Sequence, residues 1–124
     1  MTQNRETLLA LADRAETETE AYQYISIMAA MDAIAQLESS NEIWARAVHY
    51  HRVGAYLDAA MSLVPEGWEP IIDCRRTIEV QLETIAVDPG TLDPRKVYAT
   101  GATPALALCA ASLRARAALE QANG

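Results

Sequence analysis

Phenylalanine is absent from this 124-residue chain, and only two Trp and five Tyr supply aromatic area. Small side chains let elements approach closely but bury little surface each, so a core must be built from many modest contacts. Lysine is almost missing as well: nine of the ten basic residues are Arg. With abundant Ala, that skew points to a GC-rich genome rather than a functional demand. The two cysteines, Cys74 and Cys109, are far apart and form no Cys-x-x-Cys pair. That spacing gives no disulfide framework, and buried free thiols in a reducing cytoplasm are expected. No apolar run approaches the ~18 residues of a spanning helix, and no secretory signal is recognisable. A cytoplasmic protein without membrane association is expected.

What is present describes a globular chain: 51% of residues are hydrophobic, and the length suits one domain, 1–124, with a single core. The net charge of −7 is uneven. Residues 1–42 hold eight acids (among them Glu16, Glu18, Glu20, Asp32 and Glu42) against Arg5 and Arg14. Residues 43–124 hold nine acids and eight bases, so they are nearly neutral. Nucleic-acid binding is not expected, because phosphate contacts need a basic face.

Apolar spacing predicts a helix over about Arg5 to Thr19 and another helical run from Ala21 to Leu37, as one long helix or two. Ser39-Ser40-Asn41 ends that run, and Asn41 can cap a short helix from Glu42 to Tyr50. Gly54 interrupts; Ala55 to Val64 reads as a further helix, stopped by Pro65-Glu66-Gly67-Trp68. After Trp68 the period changes. Glu69 to Cys74 is a short strand whose Pro70 belongs at a strand start or a sheet edge. From Thr77 to Ile85, the inward set Ile78, Val80 and Leu82 alternates with polar residues, as on a sheet with one wet face. Arg75-Arg76 join these two strands. Asp88-Pro89-Gly90-Thr91 and Asp93-Pro94 are turn chemistry, and Lys96 to Thr100 is a third strand. The last helix starts with Thr103 as N-cap and Pro104 at the first helical position. Leu106, Cys109, Ala110, Leu113 and Ala117 form its inner face, and Leu108 and Ala111 make its first turns apolar nearly all round. Arg114 and Arg116 mark its emergence into solvent. The predicted class is α+β: a helix-rich N-terminal half and a small, mainly antiparallel sheet of about three strands covered by the C-terminal helix. Ile78, Val80, Leu82, Leu106, Cys109 and Leu113 are its candidate core.

Candidates for chemistry are few. His49 and His51 stand at i, i+2, a ligating spacing only on an extended segment, and no further ligands accompany them. The chain lacks a Gly-x-Gly-x-x-Gly turn, a Walker-type loop and a Gly-x-Ser-x-Gly elbow. No serine has a nearby His in sequence, and Asp58 and Asp73 pair only if the fold joins them. No catalytic residue, metal ligand or cofactor is assigned, and a non-enzyme is expected. One place has a rationale for anions: Thr100, Gly101 and Thr103 lead into a helix N-terminus, where free N–H groups attract phosphate. Arg75, Arg76 and Arg95, with Lys96, lie on the segments expected to flank it.

Two segments, Tyr56 to Trp68 (YLDAAMSLVPEGW) and Ala102 to Ala115 (ATPALALCAASLRA), match in order and spacing a group of small bacteriophage and prophage proteins. The chain resembles that family, which is related to the phage ABA-sandwich domain. The resemblance covers about a fifth of the chain, and it implies helices packed over a small antiparallel sheet. Family members carry a short N-terminal helix ending near Gly-Trp. Here residues 20–50 are long, helical and without that pair, so no ligand site is carried over into the N-terminal half. A phage origin implies a non-enzymatic accessory protein in the host cytoplasm, countering host defence either by covering a host protein or by capturing a phosphorylated nucleotide signal. Exposed Tyr24, Met28, Met31 and Trp44 would also support a homodimer through the N-terminal helices.

Overall fold

The structure, a computed structural model, describes residues 2–38, 41–52, 55–84 and 95–123. In chain order these form α1 (Thr2–Thr17), a 3-10 turn (Glu20–Tyr22), α2 (Gln23–Glu38), α3 (Asn41–Arg52), α4 (Tyr56–Met61), β1 (Trp68–Asp73), β2 (Glu79–Thr84), β3 (Lys96–Thr100) and α5 (Pro104–Asn123). The class is α+β, with a three-stranded antiparallel sheet in the order β1-β2-β3 and α5 packed on it. The break expected at Ser39-Ser40, the Gly54 interruption and the Asp-Pro turns of 88–94 lie outside the described residues.

The first helical region is two helices, not one. Thr17 turns its hydroxyl back onto the carbonyls of Asp13 and Arg14, and Thr19 is extended at φ −86° and ψ 156°. Glu18 accepts the Thr19 N–H at 3.3 Å and the Ser26 hydroxyl at 2.8 Å. Short polar side chains that bond their own backbone compete with helix. The Glu-Thr alternation therefore ends α1 before α2 begins.

Helix α5 is the centre of the molecule. Its residues 105–113, 115 and 117 are buried, as expected of a helix apolar on every side. One side meets α1 through Leu8, Ala12 and Ala15, the other meets β2 and β3, and α4 closes a third. Alanines on both α1 and α5 let those backbones approach closely. On the sheet, Val80 and Leu82 point inward and are fully buried, while Ile78 sits ahead of β2 at the margin of the core. Burying side chains such as Leu82, Leu106 and Leu113 is worth about 1.5–3 kcal/mol each.

Arg114 and Arg116 do not mark an emergence into solvent. Arg116 is only 4% exposed, and its Nε and Nη2 donate to the Leu63 carbonyl at 3.1 and 2.8 Å. The end of α4 lies against this side of α5 and presents a carbonyl that needs a donor away from water. Arg114 is half-buried among α1 and β3, held by acids that the local sequence does not reveal.

Both sheet edges are partly occupied. The bonds from the Thr84 N–H to the Arg95 carbonyl and from the Gly101 N–H to the Ile78 carbonyl fix the hydrogen-bonding phase. Alternation then turns residues 96, 98 and 100 of β3, and 68, 70 and 72 of β1, toward the outside. On β3 the Thr100 N–H donates to Glu16 Oε2 at 2.8 Å, and Arg114 Nη1 donates to the Tyr98 carbonyl at 3.1 Å. On β1 the Trp68 N–H is spent on the Pro65 carbonyl at 3.2 Å, and Pro70 has no N–H to offer.

Candidate functional site

Gly101 leads from β3 toward α5, where a Cβ would stand 2.6 Å from the Ala107 backbone nitrogen. It is therefore a packing glycine that lets strand and helix touch. Thr103 caps α5: its hydroxyl accepts the Leu106 N–H at 3.2 Å and donates to Gln23 Oε1 at 2.8 Å, and its carbonyl accepts the Ala107 N–H at 3.0 Å. The Thr100 N–H is taken by Glu16. A carboxylate of the chain itself thus takes the Thr100 N–H, and Thr103 takes the Leu106 and Ala107 N–H groups of α5.

The hairpin arginines lie at the same end of the sheet, because Glu79, which opens β2, pairs with Thr100. Arg75 is committed to Asp73 through its backbone N–H at 3.0 Å and its Nη2 at 2.9 Å. That pairing pushes the Asp73 carboxyl down to about 2, chiefly through the guanidinium hydrogen bond. Arg76 joins them in a shallow crevice also lined by Thr77 and Glu79, so two arginines face two acids. Arg95 is elsewhere. It precedes β3 and pairs with Thr84, at the opposite end of the sheet from Thr100.

Glu16 and Arg114 form the strongest polar constellation among the described residues. Arg114 reaches Glu16 with both terminal nitrogens, at 2.7 and 2.5 Å, and Asp13 at 3.0 Å. The Glu16 carboxyl is held below its ordinary value, first by Arg114 and then, against some burial, by the Thr100 N–H. Each charge is satisfied within the fold, which makes the cluster a clasp joining α1, α5 and β3.

The remaining candidates separate. Positions 49 and 51 lie on a helix, about 200° apart around its axis, not on the extended segment that a shared ligand point requires. Asp58 and Asp73 line different crevices. No group of three or more His, Cys, Asp or Glu side chains among the described residues is placed to hold a metal. Cys109 is fully buried, and burial pushes its thiol up to about 12; Cys74 is exposed on the hairpin. Among the described residues no helix is long and apolar enough to cross a membrane.

The surface holds a different kind of candidate. Helix α2 buries Ile27, Ala30, Met31 and Ile34 against the core, which removes Met31 from the exposed apolar set. Its opposite side is also apolar over the first half of the helix. Tyr22, in the preceding turn, is 56% exposed, and Ile25 and Met28 are each 36% exposed. From Ala21 to Met31 no residue is charged. Beyond Met28 the row ends at Asp32, whose Oδ1 accepts the indole N–H of Trp44 from α3 at 3.0 Å, leaving that ring 41% exposed. No protein-family model, no curated protein and no solved structure matches the chain. The functional reading therefore rests on this geometry.

The uncharged run from Ala21 to Met31 was the sequence signal for this face. It shows a helix apolar all round, although its inner stripe alone supplies the periodicity.

Proposed function

We propose that this protein is a non-enzymatic binding protein that acts by docking another polypeptide on the outer face of α2. One observation carries the reading: the first half of α2 is apolar on both sides, and the fold covers only one of them. A helix of that composition is ordinarily buried on every side, and a contiguous exposed apolar stripe marks an interaction surface. Tyr22, Met28 and Trp44 belong to the residue types enriched in interface cores. The setting we propose is a phage or prophage one, with the chain covering a host protein that serves defence.

The alternative of nucleotide capture at Thr103 is not favoured by any observation, because Glu16 and Gln23 hold the polar groups it would use. Photocrosslinking tests the docking reading. A benzophenone amino acid at Ile25 or Met28, in the producing cell, should give a discrete polypeptide adduct, and one at exposed Glu69 on β1 should not. Absence of an adduct at both α2 positions, or equal labelling at Glu69, would overturn it.

A further inference from the structure

We infer that the occupant of the α2 face is a cationic amphipathic helix of another protein rather than a second copy of this chain. The inference rests on the docking reading above and adds the chemistry of the partner.

Acids bound the apolar row at both ends. Glu18 and Glu20 precede Tyr22, and Asp32 and Glu42 lie at the Trp44 end. Arg14 is drawn to Glu18 at 3.9 Å and Arg46 to Glu42 at 3.4 Å. Glu20 and Asp32 are exposed and stand in no ion pair among the described residues. They are separated by twelve residues, roughly 18 Å along a helix axis. The face therefore reads acid, apolar, acid.

That order is not self-complementary. A two-fold contact with the helices parallel sets Glu20 against Glu20 and Asp32 against Asp32. An antiparallel contact sets Glu20 against Asp32. Either way two like-charged pairs are brought together, and such juxtapositions oppose association. A helix with an apolar stripe about three turns long and Lys or Arg at its two ends fits instead, and the acidic bias of residues 1–42 would draw it in. The Asp32–Trp44 bond holds the indole at one end of the row.

The test titrates the purified full chain with a synthetic 18-residue Leu/Lys amphipathic helix, using two control peptides. One replaces Lys by Glu; the other keeps the composition but scrambles the apolar stripe. Trp44 is the reporter, since Trp68 is buried at 7% exposure. A saturable blue shift with the Leu/Lys helix is expected, weakened at least tenfold by Met28→Ser with Ile25→Ser and several-fold by Glu20→Lys or raised salt. Neither control peptide should saturate. Binding of the Leu/Glu helix, or indifference to the Ile25 and Met28 changes, would overturn the inference. So would a chain that runs at twice its 13.5 kDa mass in light scattering with Trp44 shielded. If these fail while Ile25 still crosslinks in cells, the docking face stands with a different occupant; if crosslinking also fails, both readings fall.

Discussion

Arg116 and Ser112 sit one turn apart on α5 and represent opposite solutions to a polar group in the interior. The Arg116 guanidinium meets the Leu63 carbonyl twice, and burial pulls its pKa down to about 10. Replacing it by Leu strands that carbonyl, so Arg116→Leu should lower unfolding free energy by about 1–3 kcal/mol in urea titration. The Ser112 hydroxyl is buried and has no hydrogen-bond partner among the described residues. Ser112→Ala removes the unsatisfied group and favours helix, so it should raise stability by about 1 kcal/mol in the same assay. Glu16 gives the pH signature. Its folded pKa is depressed, so its stabilisation is present above the ordinary carboxylate value and lost as pH falls through the folded one. Glu16→Gln should therefore melt below the wild type at neutral pH, and the gap should narrow as pH falls through the ordinary carboxylate value of 4.5 and below it. A gap that stays constant with pH would remove the ion-pair explanation.

At the scale of elements, the join between β3 and α5 is the most constrained. A methyl group at Gly101 would press on the Ala107 backbone, which cannot swing aside as a side chain could. Gly101→Ala should cost about 1–3 kcal/mol by overpacking, measured as a fall in the urea midpoint with unchanged slope. The elements themselves were largely legible beforehand. Val80 and Leu82 alternate in period two, Thr103-Pro104 announces a helix start, and Lys96–Thr100 forms the expected strand. Those signals are local. Glu16 meeting Arg114 is not, because the partners are 98 residues apart and each looks like an ordinary surface charge. The same limit hid Arg116, whose burial depends on where α4 ends. It also assigned Arg95 to the wrong end of the sheet for an anion site, since the direction of β3 relative to the hairpin is a property of the pairing.

For the whole molecule, polar commitments and apolar exposure divide the surface. The clasp of Glu16, Asp13 and Arg114 locks α1 onto α5 and covers the β3 edge, and Pro70 leaves β1 a poor template. Glu20 and Asp32 are left exposed beside α2, in no ion pair among the described residues, and the outer face of that helix has no covering element. A docking role requires that face to be covered where the protein works. Methionine oxidation measures this with a built-in control. Met28 and Met61 are 36% and 41% exposed, whereas Met31 is fully buried. In the dilute purified chain, peroxide should oxidise Met28 and Met61 at similar rates and Met31 far more slowly. In the producing cell, Met28 should become several-fold slower than Met61. An unchanged ratio of Met28 to Met61 between the two conditions would contradict the claim that α2 is a docking surface.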